Sequence, residues 1–197
     1  MTQSPPSLHW VGTSKKDLLA MPDEGIDAVG YALHLAQLGG KHEDAKVLKG
    51  FGGAGVLEVI ENHQGDTKAR SGHDPATLKV GPTRCREMTM TSEQIESGSG
   101  NVYADLDLPN ANEMRVKADL VMRIAHLLKD KGLKQTAAAS LLGLSQPKLS
   151  GLLRGQFRGV SESKLIECLT RLGQDVEIVV RAAPKCRGEG RVLVTAE

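Results

Sequence analysis

Between Lys131 and Ser161 the sequence carries no acidic residue, and within that stretch Gln146, Lys148, Ser150 and Arg154 stand close together. Amide and hydroxyl side chains offer uncharged donors and acceptors to base edges, while Lys and Arg neutralise phosphates. A helix presenting all four is equipped for the major groove of DNA. Gln135, Thr136 and Arg158 flank the group and add further polar and cationic side chains.

Those side chains need a rigid carrier. Two short helices crossing at a fixed angle require a small residue where the backbones approach, a residue tolerant of φ > 0 in the turn, and an apolar wedge under the second helix. Ala139, Gly143 and Leu149 meet these demands in order, and Gly155 closes the pattern. Ser145 is a natural N-cap for the second helix, and Pro147 falls in its first turn, where a missing N–H does no harm. The plain alternative is a surface αα-hairpin with solvated basic residues. The joint spacing of Gln135, Ala139, Gly143, Leu149 and Gly155 favours a helix-turn-helix instead.

At these residues the chain resembles the Xre/Cro repressors, and more narrowly the HigA-type antitoxins of bacterial toxin–antitoxin modules. Ser99-Gly-Asn-Val-Tyr-Ala-Asp-Leu-Asp-Leu-Pro-Asn-Ala before the motif supports this, as do Arg154-Gly-Gln-Phe-Arg-Gly and Leu172-Gly-Gln-Asp-Val-Glu-Ile-Val-Val after it. The likeness covers about Ser97 to Arg181. It departs at Asp107, where Gly is expected, and at Lys134, where Ser or Thr usually caps the first motif helix; the lost cap should cost ~1 kcal/mol. The resemblance implies a repressor of its own promoter. Gln146 and Lys148 would read base edges, Pro147 and Ser150 pack along the groove wall, and Gln135, Thr136, Arg154 and Arg158 complete the DNA-contacting set. Ala139, Gly143, Leu149 and Gly155 would be structural. Implied partners are a double-stranded, near-palindromic operator, a second copy in a homodimer, and a cognate HigB-type toxin.

Composition sets outer bounds. A chain of 197 residues with 40% hydrophobic content can bury the core of one or two small domains. The net charge of +1 is uninformative until resolved along the sequence, where Lys131, Lys134, Lys148, Arg154 and Arg158 fall without opposing carboxylates. Cys85, Cys168 and Cys186 form no Cys-x-x-Cys pair, so neither a disulfide framework nor a zinc site is indicated. A reducing cytoplasm is the expected location. No apolar run approaches the ~20 residues of a membrane span, and Met1 to Lys16 lacks the apolar segment of a signal peptide. His34, His42, His63 and His73 lack the pairing of a metal ligand set and read as solvated. Gly50 to Gly55 lacks the Gly-Lys-Ser/Thr ending of a phosphate loop, so no cofactor is expected.

The expected fold is mainly α. Residues 97–182 should form a four- or five-helix Xre/Cro-like helix-turn-helix domain ending in a β-strand. Its first helix runs from Asn112 through Val116, Leu120, Ile124 and Leu127 to Lys131-Gly132; its last, capped by Ser161, buries Leu165, Leu169 and Leu172. Val176, Ile178 and Val180 alternate as a strand that needs a partner, which invites a twofold copy. Residues 183–197 read as a basic tail, and residues 68–96 as a linker broken by Gly72, Pro75, Gly81 and Pro82.

Upstream, Leu8 to Val11 reads as a short strand, Ser14 to Met21 as a helix closed by Pro22, Asp23 to Leu38 as a second helix ended by Gly39-Gly40, and Val56 to Ile60 as another strand. Trp10-Val-Gly-Thr-Ser-Lys-Lys-Asp-Leu-Leu, Tyr31-Ala-Leu-His-Leu-Ala-Gln-Leu-Gly-Gly, Ala45-Lys-Val-Leu-Lys-Gly and Val56-Leu-Glu-Val resemble the first half of a phage-derived HigB toxin of the RelE superfamily. Such toxins cut ribosome-bound mRNA. Their later strands carry a Tyr-Arg pair and a Phe-x-Lys-Lys region, and neither occurs here, so residues 1–67 read as an incomplete α+β toxin-like fragment with no catalytic residues. Lys46 and Lys49 alone do not make a site. The leading reading is therefore a DNA-binding antitoxin-type repressor and not an enzyme. The alternatives are a self-inhibited mRNA endonuclease and a module that only captures a toxin.

Overall fold

The structure, a computed structural model, describes residues 8–40, 42, 45–47, 57–59, 95–184 and 190–195. The chain divides into two compact units, with the boundary between Leu106 and Asp107.

In the first unit, β1 (His9–Val11) leads through a left-handed Gly12 into α1 (Ser14–Leu19). Thr13 stands at the N-cap; its hydroxyl donates to Asp17 Oδ2 at 2.7 Å, while Ser14 Oγ accepts from the Val11 N–H at 3.1 Å. Pro22 fixes φ just before α2 (Asp23–Gln37), whose residues from Gly25 to Leu35 are all buried. Leu38 does not continue that buried run; it is the C-cap and is exposed. His34 and His42 are buried, contrary to the expectation that they are solvated. His42 meets Tyr31 edge-on with ring centroids 5.7 Å apart, and His34 lies 6.0 Å from the Tyr103 ring.

A two-stranded antiparallel sheet pairs β2 (Ala45–Val47) with β3 (Leu57–Val59), Lys46 opposite Glu58. β3 lies within the expected strand from Val56 to Ile60, whereas β2 falls where no strand is expected. A second sheet pairs β1 with β4 (Ile95–Ser97) in the register Trp10 opposite Glu96. The end of the expected linker is thus a strand that closes onto the N-terminal elements. α3 (Val102–Asp105) follows, capped by Asn101, whose side chain accepts from the Tyr103 N–H at 3.2 Å. α3 packs on α2, with Val102, Tyr103 and Leu106 fully enclosed.

The second unit opens with Asp107 at φ 52°. This is the position where the family resemblance expects Gly, and the left-handed backbone supplies the reason: a residue without Cβ adopts it freely. α4 (Ala111–Asp130) is the long brace, followed by α5 (Gln135–Leu142), α6 (Gln146–Leu153) and α7 (Glu162–Arg171). α4 packs on α6 and α7, and α5 on α6 and α7. Val121, Ile124, Leu142, Leu149, Leu152, Phe157, Leu165 and Cys168 form the enclosed core. Full burial of each such apolar side chain contributes about 1.5–3 kcal/mol.

Residues 175–181 form no strand, in contrast to the expected C-terminal one. Their side chains are exposed, with Ile178 at 78% and Val180 at 91%. A β ladder needs a partner backbone, and none is supplied among the described residues of the unit. The Gly50–Gly55 loop, the break-rich stretch 68–87, His63, His73, Cys85, Cys186 and Lys49 lie outside the described residues, as does the side chain of Lys46.

Candidate nucleic-acid interface

The site is built on α5 and α6 and the turn between them. Gly143 is the C-cap of α5 at φ 66°, a left-handed conformation that costs an ordinary L-residue ~1–2 kcal/mol. Leu144 N then donates to Ala139 O at 2.9 Å, tying the turn back onto α5. Ala139 is buried, and Leu149 is fully enclosed beneath α6. Gly155, at φ 99°, ends the α6 turn.

Lys134 occupies the N-cap of α5 without a capping side-chain bond, as its residue type requires. Ser145 sits at the N-cap of α6 with extended backbone, φ −73° and ψ 150°, yet its side chain makes no capping hydrogen bond. Pro147 lies in the first turn of α6, where its missing donor is harmless.

Gln135, Thr136, Gln146, Pro147, Lys148, Arg154 and Arg158 are exposed, and Ser150 is half-buried. Gln146 Nε2 donates to Gln135 Oε1 at 3.1 Å, so the first residues of the two helices are linked across the turn. Arg154 Nε donates to Ser150 O at 3.4 Å, which holds its guanidinium along the end of α6. No carboxylate falls within this stretch, so the face attracts anions. Neutral amides and a hydroxyl bordered by cations can pair with base edges while neutralising phosphates.

A family model described as a helix-turn-helix domain matches residues 102–181. Among solved structures, a chain assigned to the XRE family of transcriptional regulators is 38% identical; the alignment covers 45% of this chain and 100% of that one, with a TM-score of 0.43. Residues 102–181 of the chain are thus a helix-turn-helix domain. No curated protein matches the chain.

Two supports of the helix-turn-helix domain escape a reading of the motif alone. Lys117 is buried on α4, bridges to Glu113 Oε1 at 2.6 Å, and donates to the backbone carbonyl of Arg158 at 3.4 Å. It fastens the segment that carries a predicted phosphate contact to the bracing helix. The Glu113/Lys117 spacing signals the pair in the sequence, but not the burial. On α7, Glu167 bridges Lys164 at 2.9 Å and Arg171 at 2.6 Å, and Arg171 Nη1 donates to Leu141 O at 3.5 Å beside Gly143. The Lys164 hydrogen bond, joined by the charges of Lys164 and Arg171, holds the Glu167 carboxyl below its usual range.

Among the described residues no group of three or more His, Cys, Asp or Glu could hold a metal, and no helix is long and apolar enough to cross a membrane.

Proposed function

We propose that the protein is a sequence-specific DNA-binding transcriptional regulator of antitoxin type that represses its own promoter. The observation that carries this is the exposed, carboxylate-free face of α5 and α6, with Gln146 bonded to Gln135 and flanked by Lys148 and Arg154, in an XRE-type helix-turn-helix. In this reading Gln146 and Lys148 contact base edges, Pro147 and Ser150 pack along the groove wall, and Gln135, Thr136, Arg154 and Arg158 set the register on the backbone. The protein acts in the cytoplasm as a homodimer on a near-palindromic operator, two recognition helices one turn of DNA apart.

Residues 1–67 are in this proposal a remnant of a HigB-type toxin without nuclease activity. The absence of the Tyr-Arg and Phe-x-Lys-Lys groups supports that reading, because RNA cleavage needs charge stabilisation at the scissile phosphate. Growth arrest on induction of the full chain, abolished by changes confined to those residues, would contradict it.

The test is fluorescence anisotropy of the full chain on DNA from upstream of its own gene, with random DNA as competitor, across several salt concentrations. Selective binding with a steep salt dependence is expected. Equal affinity for operator and random DNA would reject the repressor.

A further inference from the structure

The connection from α6 to α7 contains a turn whose central peptide is held from the bracing helix. Val160 N donates to Phe157 O at 2.9 Å, closing a β-turn with Arg158 and Gly159 at its centre. Phe157 is fully enclosed in the core, whereas Arg158 and Gly159 are exposed. The two common forms of such a turn differ by a flip of the central peptide, here the one joining Arg158 to Gly159. The flipped form requires φ > 0 at the second central residue, which glycine adopts freely. Gly159 leaves that form open, yet its φ lies outside the left-handed region.

Lys117 contacts that same peptide. Its ammonium is buried on α4, bridges to Glu113 Oε1 and donates to Arg158 O at 3.4 Å. In the flipped turn the carbonyl would leave the ammonium and an N–H would take its place, setting donor against donor. Burial of an ammonium costs desolvation that an apolar side chain of similar length avoids, so core stability does not account for a lysine here. Orientation does. The C=O and N–H of one trans peptide point in opposite directions. With the carbonyl held toward α4, the Gly159 N–H is turned away from it, and it makes no hydrogen bond among the described residues. A Cβ at Gly159 would meet no atom within 4 Å, so the approach to that N–H is open.

We propose that Lys117 is a positioning residue for DNA binding: by holding the Arg158 carbonyl it selects the turn in which the Gly159 N–H and the Arg158 side chain meet one phosphate of the duplex. The proposal rests on the DNA-binding reading and adds to it a residue of the bracing helix, outside the motif. In the flipped turn a carbonyl oxygen would face the phosphate, and the two negative groups would repel.

The experiment measures anisotropy of the full chain on two duplexes, DNA from upstream of its own gene and a random sequence, over a salt series. Lys117→Met should weaken binding to both about tenfold and flatten the salt slope by about one unit. Gly159→Ala added to that variant disfavours the flipped turn and should restore binding to within about threefold of the wild type, although it returns no charge. Urea midpoints of the same samples report folding. In the unaltered chain, the Gly159 amide should exchange with solvent more slowly when either duplex is bound, as read by NMR. Wild-type affinity in Lys117→Met, a loss in the folded variant that Gly159→Ala leaves in place, or Gly159 exchange unchanged by DNA would each overturn the proposal. Equal wild-type affinity for the two duplexes, with the loss and recovery intact, would reject the repressor and support the positioning role.

Discussion

Lys148 and Arg158 are both exposed cations of the carboxylate-free stretch, yet they should fail in different ways. Lys148 stands in the first turns of α6, two residues from Gln146 of the Gln146–Gln135 pair, and the proposed function assigns it to base edges. Lys148→Ala should lower operator affinity by ~1–3 kcal/mol and leave random DNA nearly untouched. Arg158 follows α6 on a segment held by Lys117, suited to the sugar–phosphate backbone. Arg158→Ala should weaken all sequences alike and flatten the salt slope by about one unit. Competition anisotropy reads both, and an unchanged ratio of operator to random affinity in Lys148→Ala would remove that residue from base reading. A second residue-scale expectation concerns Cys168, enclosed in the core of the same unit. Burial pushes its thiol above the ordinary value, because the thiolate would be desolvated. The folded state therefore keeps its proton where the unfolded state releases it. The associated stability is complete below about pH 8.5 and is lost as pH rises from there through the folded value. Urea midpoints at neutral and alkaline pH should show a steeper fall for the wild type than for Cys168→Ala, and parallel falls would count against a desolvated thiol.

Gly143 decides whether α5 and α6 meet at the required angle. Its φ of 66° penalises any side chain, and a Cβ would also press on the Arg171 guanidinium, 3.2 Å from Cζ. Arg171 is the flexible end of an exposed side chain and can yield, so backbone strain dominates. Gly143→Ala should cost ~1–2 kcal/mol of unfolding free energy. Chemical denaturation measures that, and a loss under a few tenths would show that the turn relaxes. This element was legible in the sequence because each residue answers a local demand: Gly143 for the turn, Ala139 for close approach, Leu149 for the wedge, Pro147 for the first turn. The same holds for α7, where Ser161 Oγ accepts from the Lys164 N–H at 3.3 Å as its residue type suggests. What the sequence hid depends on distant partners. Ile95 to Ser97 has no strand signal of its own and is ordered by β1, and the burial of Lys117 is set by how α4 meets the segment after α6. The missing capping bond at Ser145 belongs to the same class, since spacing gives the cap residue but not the torsion of its hydroxyl.

At the scale of the whole chain, the division at Leu106 assigns residues 102–106 to the N-terminal elements, whereas the helix-turn-helix family model counts them in its domain. Sequence similarity reports descent, and burial reports where apolar surface leaves water; here the two draw different boundaries. The other end of the regulator presents the complementary case. Val176, Ile178 and Val180 alternate and remain exposed without forming a strand, and the proposed homodimer would use them to pair across a twofold axis. Antiparallel pairing of residues 175–181 about a twofold axis would give each backbone its missing ladder and place two α6 helices on one operator. Val179→Pro removes a ladder donor and forbids that pairing without touching the helical core. Light scattering should then show a monomer for the variant and a dimer for the wild type, and affinity for the proposed near-palindrome should fall about a hundredfold as the second half-site becomes an independent binding event. Affinity for a single half-site should be unchanged, because α5 and α6 are intact. A dimer that persists in Val179→Pro would move the twofold contact away from this segment and onto the helices.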